Sequence, residues 1–127
     1  MTQLAEIQKL NANLDRNKPK DIDVQTVISI IYHMENVAKQ IGCGIQRLLE
    51  VKAKLEKEKP EKVPLETMVL IYFHLYVIAD DMEYMDTPKI ILEQKALARE
   101  NKNKPASNFV GYVITIHLLE LAKKINL

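Results

Sequence analysis

Three histidines stand near the middles of the three most apolar stretches of the chain: His33 in IIYHMEN, His74 in YFHLY and His117 in ITIHLLE. Imidazole is a common zinc ligand, and a set of three leaves a fourth position open for water or substrate. If the three stretches are helices packed side by side with level centres, the rings meet. No two of the three have the i, i+4 spacing that puts both on one face of a single helix. Each also has a structural reading. His33 shares a polar stripe with Ser29, Asn36 and Gln40 and is expected at a rim or facing water. His117 has Glu120 one turn on. His74, one turn from Leu70, Ile71, Val77 and Ile78, is expected to be buried, neutral and metal-free. No cofactor is implied.

A run of carboxylates, DDMEYMD, ends the most apolar stretch. Asp80, Glu83 and Asp86 lie at three-residue spacing, so on a helix they share one face and suit Mg²⁺. Glu83-Tyr84-Met85-Asp86 spells ExxD. It resembles the all-α nucleotide pyrophosphohydrolases (the MazG-like family), in which ExxD on one helix joins EExxE on the preceding one. The segment Ile30–Lys57, which opens IIYHMENVAKQIGCGI, is similar to that family's apolar helix, glycine turn and next helix. The resemblance implies divalent-dependent nucleotide hydrolysis. The chain departs from the pattern where the chemistry lies: Glu56, Glu58 and Glu61 surround Pro60 in place of EExxE, and Gln25 and Ile28 stand at carboxylate positions. A divergent or degenerate hydrolase is one alternative reading.

Another alternative is a helix-turn-helix in 37–57. Ala38 is small where two helices would cross, Gly42 would make the turn, and Val37, Ile41, Leu48 and Val51 would pack. The second helix would offer Gln46, Arg47, Glu50 and Lys54 to DNA, with Lys52 and Lys57 beside them. Glu50, Glu56 and Glu58 dilute that face. Cys43, in Gly42-Cys43-Gly44, is expected at the start of the third helix, either as a small apolar turn residue or as a thiol activated by the helix dipole. The same turn has the glycines to cradle an anion.

The elements that position these residues are helices. Met68 to Ala79, MVLIYFHLYVIA, is apolar at every position but His74. Such a helix must be wrapped on all sides, and it falls short of the roughly 20 apolar residues that span a bilayer. Pro19, Pro60, Pro64, Pro88 and Pro105 mark boundaries, since proline breaks helix interiors. The spacing predicts helices over Thr2–Asp15, Asp23–Ile41, Ile45–Lys59, Leu65–Met85, Lys89–Lys102 and Asn108–Asn126. Asp23, Thr87-Pro88 and Ser107 supply start signals. Leu4, Ile7, Asn11 and Leu14 keep heptad spacing in a first helix expected to cap the bundle. Ile31-Tyr32 and Ile71-Tyr72, 40 residues apart, hint at a duplicated helical hairpin.

Composition bounds the function. At 127 residues with 47% apolar content, the chain is expected to form one domain, 1–127. Its net charge of +1 provides no field toward nucleic acid, and fifteen lysines accompany only Arg16, Arg47 and Arg99, an imbalance against base-reading. A lone cysteine and no leader-like N-terminus suggest the cytoplasm. The expectation is therefore an all-α bundle of about six helices, in which the three apolar helices form the middle. Its work is regulation, inhibition or assembly through an unknown protein partner. Homo-oligomerisation, most simply a dimer, is expected because the apolar helices exceed what thin amphipathic ones cover, with Gly111 letting another helix approach. DNA is a possible but disfavoured partner, and no membrane is expected.

Overall fold

The computed structural model describes residues 2–83, Ala96, Arg99 and 104–126. The chain is all-α. Five helices lie among the described residues: α1 (Gln3–Arg16), α2 (Val24–Ile41), α3 (Gln46–Glu58), α4 (Leu65–Asp81) and α5 (Asn108–Lys124). The helix expected over Lys89–Lys102, with its Thr87-Pro88 start signal, lies outside them. No described helix is long and apolar enough to cross a membrane.

Local chemistry sets the ends. Thr2 and Asp23 cap α1 and α2, their side-chain oxygens accepting from the amides of Ala5 at 3.1 Å and Thr26 at 2.8 Å. Gly42 ends α2 with φ of +74°, a left-handed conformation that glycine adopts without Cβ strain. Ser107 occupies the cap position of α5 without making the expected side-chain bond. The fourth helix stops at Asp81, short of the expected Met85, and Glu83 is already left-handed at φ of +50°.

The three apolar helices, α2, α4 and α5, begin at the same end of the bundle, where backbone hydrogen bonds stitch their entry segments together. The Ile22 amide donates to the Ala106 carbonyl at 3.0 Å, Ala106 to Val63 at 2.8 Å, Leu65 to Lys104 at 2.9 Å and Asn108 to Lys20 at 2.7 Å. These bonds make isolated bridges, Asp21 with Ser107 and Pro64 with Pro105. The amphipathic helices run the opposite way in the grooves between the apolar ones. α1 lies against α2 and α5, and α3 against α2 and α4.

The first helix is more than a cap. It runs antiparallel to α5 with Ile7 and Leu14 buried. Asn11 donates to Thr115 Oγ1 at 2.8 Å and to the Tyr112 carbonyl at 3.3 Å. Gly111 lies under this contact: a Cβ there would sit 2.6 Å from Ile22 Cδ1 and 3.2 Å from Leu14 Cδ1. The close approach expected of Gly111 is thus made inside the chain, by α1 and the turn after it, rather than by a second molecule.

A repeat governs the whole arrangement. Its offset is 41 residues, not 40, and its unit is an amphipathic helix and then an apolar one. Segments 7–41 and 48–82 share Ala12/Ala53, Leu14/Leu55, Lys18/Lys59, Pro19/Pro60, Thr26/Thr67, Ile30/Ile71, His33/His74 and Ala38/Ala79. The last apolar helix repeats the register a third time, 43 residues further on. Ile22, Val63 and Ala106 are buried just before the three helices. Within them Ile30, Ile71 and Ile114, then Met34, Leu75 and Leu118, then Val37, Ile78 and Leu121, then Ala38, Ala79 and Ala122 are buried in step. Equivalent burial at equivalent register gives the three central helices a pseudo-threefold relation. Each histidine is the tenth residue of its helix.

Candidate functional site

The repeat makes the three histidines level, as the sequence allows, but does not bring them together. Among the described residues no three His, Cys, Asp or Glu side chains are grouped to hold a metal ion. Each imidazole has its own surroundings. His33 does not face water: it is buried beneath α1, where Gln3 Oε1 accepts from Nδ1–H at 2.7 Å and Glu6 Oε2 lies 3.9 Å from Nε2. Burial pushes its pKa below the ordinary histidine value, against the opposing charge of Glu6. His74 is buried, as expected, and donates from Nδ1–H to its own helix at the Leu70 carbonyl, 2.9 Å away. His117 is buried with its ring 6.0 Å from that of Tyr72.

The carboxylate reading reaches the end of α4. Asp80 and Glu83 are exposed there, Glu83 beyond the helix, while Asp86 lies outside the described residues. Because α4 has ended, Asp80 and Glu83 do not share a continuous helical face. Cys43 lies in the loop before α3, not within its first turn, and α3 is entered through Ile45. Burial and the nearby Asp81 charge push the Cys43 thiol above its ordinary pKa, the reverse of an activated nucleophile.

In the 37–57 segment, Val37, Ala38 and Leu48 are buried, and Gln46, Arg47, Glu50 and Lys54 are exposed on α3. They do not form one basic face. Arg47 and Lys54 turn to the groove beside α4. Lys52 turns the other way, to Glu35, which it meets at 3.4 Å while Lys39 meets the same carboxylate at 3.2 Å. Burial raises the Glu35 pKa, but its bonds to Lys39 and Lys52 outweigh that and hold it below the ordinary value.

The feature that sequence reasoning missed is a pair of open grooves, of about 580 Å³ and 630 Å³. The first lies over α2 and the second over α4, and the 41-residue offset maps one onto the other. Glu6, Leu10 and Asn13 of α1 correspond to Arg47, Val51 and Lys54 of α3; Ile28, Ser29 and Tyr32 of α2 correspond to Val69, Leu70 and Phe73 of α4. Each groove displays one aromatic ring, Tyr32 at 44% exposure and Phe73 at 39%. The sequence signal was the 41-residue repeat itself, with an aromatic preceding each of the first two histidines.

The two grooves differ in chemistry. On α2 the repeat has Ser29, Tyr32, Glu35 and Asn36 where α4 has Leu70, Phe73, Tyr76 and Val77; Ser29, Tyr32 and Phe73 are exposed and the others half-buried. Lys52 covers the Tyr32 ring, its Nζ 5.7 Å from the centroid. The α4 face carries apolar side chains where α2 carries hydroxyl, carboxylate and amide. No family model, no curated protein and no solved structure matches the chain.

Proposed function

We propose that the protein is a small helical interaction module of the cytoplasm, a regulator, inhibitor or assembly factor that works by docking another protein surface against its grooves. One observation carries the reading: the repeat places equivalent grooves over α2 and α4, and the second of them is lined by Val69, Leu70 and the exposed Phe73. Fold stability alone gives no reason to expose Phe73, beside a half-buried Leu70, on a helix whose opposite face already fills the core with Met68, Ile71, Leu75 and Ile78. A partly exposed aromatic among half-buried aliphatic residues, with charged residues at the rim, has the composition of a protein-binding surface.

The test uses the purified protein as bait, alongside Tyr32→Asp and Phe73→Asp variants whose helicity is first verified by circular dichroism. A protein partner held by the parent and lost with either variant is the expected result. Failure to retain any partner, or retention indifferent to both substitutions, overturns the reading.

A further inference from the structure

We propose that the groove between α3 and α4 is the contact surface of a two-fold homodimer, in which each copy's Phe73 packs over the other's Pro60–Pro64 end. The inference rests on the interaction reading above and names its occupant from the distribution of charge. α3 and α4 run antiparallel, so Arg47 and Phe73 lie at one end of the groove and Glu58, Glu66 and the prolines at the other. Among the described residues none of Arg47, Glu58 and Glu66 enters an ion pair. Lys62, also at the proline end, is already held by Asp21 at 3.1 Å, so the unpaired charges lining that end of the groove are Glu58 and Glu66, with Lys54 one turn nearer its middle.

Rotation by half a turn about an axis through the middle of the groove exchanges its two ends. Arg47 of one copy then faces Glu58 and Glu66 of the other, and the same contacts form a second time by symmetry. The apolar floor, Val51, Leu55 and Leu70, lies near the axis, where an isologous contact buries most surface. The pattern is complementary to itself. The groove over α2 has no such arrangement: Arg47 is replaced there by Glu6, which faces His33, and Lys52 covers the aromatic.

Sedimentation equilibrium and light scattering on the full chain, over a micromolar dilution series, test the proposal. The expected mass is twice that of the 14.6 kDa chain. Phe73→Asp and Arg47→Glu are each expected to raise the dimer dissociation constant at least about tenfold, while Tyr32→Asp leaves it unchanged. The combined Arg47→Glu, Glu58→Arg, Glu66→Arg variant exchanges the charges and is expected to dimerise again. That rescue decides the matter even if Phe73→Asp fails to fold. A monomeric parent, a dimer indifferent to Phe73 and Arg47, or a charge exchange without rescue overturns the dimer. A monomer that still holds a partner through Tyr32 or Phe73 overturns the dimer alone and leaves the interaction reading standing.

Discussion

At residue scale the tightest constraint is Gly111. A methyl group there meets Ile22 Cδ1 at 2.6 Å and two Leu14 methyl carbons at 3.2 and 3.3 Å. Alanine favours a helix interior by about 1 kcal/mol over glycine, yet overpacking costs about 1–3 kcal/mol. Gly111→Ala is therefore expected to lower stability in urea denaturation, and Ile22→Val, which removes the nearest carbon, is expected to reduce that loss. A stabilised Gly111→Ala would show that α1 gives way freely. Asn36 presents the opposite case. Its Nδ2 is buried with no hydrogen-bond partner among the described residues, and Val77 holds the equivalent position in the next repeat. Asn36→Val is expected to raise stability by about 1 kcal/mol, because a buried unpaired amide costs about that or more; a lowered urea midpoint contradicts it.

Protonation at His33 is governed by the same local burial. Its folded pKa lies below the ordinary 6.5, so between the two values the unfolded chain binds more protons than the folded one. The contribution is complete above about pH 6.5 and is lost as pH falls through the folded value. Glu35, also lowered, adds a loss in the same direction below its ordinary 4.5. Urea midpoints measured across this range should therefore fall on acidification. His33→Gln is expected to flatten the upper part of the fall and leave the lower part. An unchanged upper slope would assign it to another group.

At element scale, the register of the apolar helices explains how they approach one another. Ala38, Ala79 and Ala122 are fully buried at one equivalent level, toward the end of the bundle away from the backbone stitch. Each is a small residue buried at the same level of its helix. Leucine at any one of them has no free volume to enter in a close-packed interior. Ala38→Leu, Ala79→Leu and Ala122→Leu are each expected to destabilise by about 1–3 kcal/mol in urea denaturation. Similar costs at all three would support the pseudo-threefold relation, and one neutral substitution would break it. The amphipathic helices are held differently. α1 uses a side-chain amide against the α5 backbone, through Asn11, whereas α3 is joined to α2 by the Glu35–Lys52 ion pair.

At the scale of the whole molecule, the backbone stitch fixes the direction of the three central helices. Four amide bonds, given by Ile22, Leu65, Ala106 and Asn108, link segments far apart in sequence. Breaking them separates the helices that form the core, so these amides should open only with global unfolding. Native-state hydrogen exchange is expected to show them protected to the level of the α2 and α4 core amides, although they lie in connecting segments. Fast exchange, comparable with that of the Gly44 turn, would show that the stitch is dispensable. Ala106→Pro removes the central donor and should cost about 1–3 kcal/mol.

Much of the helical layout was legible in the sequence. Proline cannot sit in a helix interior, Asp23 can satisfy an orphan amide, and Gly42 tolerates the left-handed turn; these are local effects, and they act wherever the residues occur. The burial of His74 was legible for a related reason, since every neighbour one turn away is apolar. Which helix meets which was not legible. The heptad pattern of α1 specifies an apolar stripe but not its partner, and only the folded chain sets Leu14 and Ile22 against Gly111. The histidines show the same limit. Their positions along the apolar stretches set them at one level, while the rotation of each helix, decided by packing all three apolar faces at once, turns His33 under α1 and brings the His117 ring beside Tyr72. The grooves depended on tertiary structure most of all. Few residues match between repeats, and what the repeats share is burial at equivalent positions, a property each side chain acquires only from the neighbours that folding brings to it.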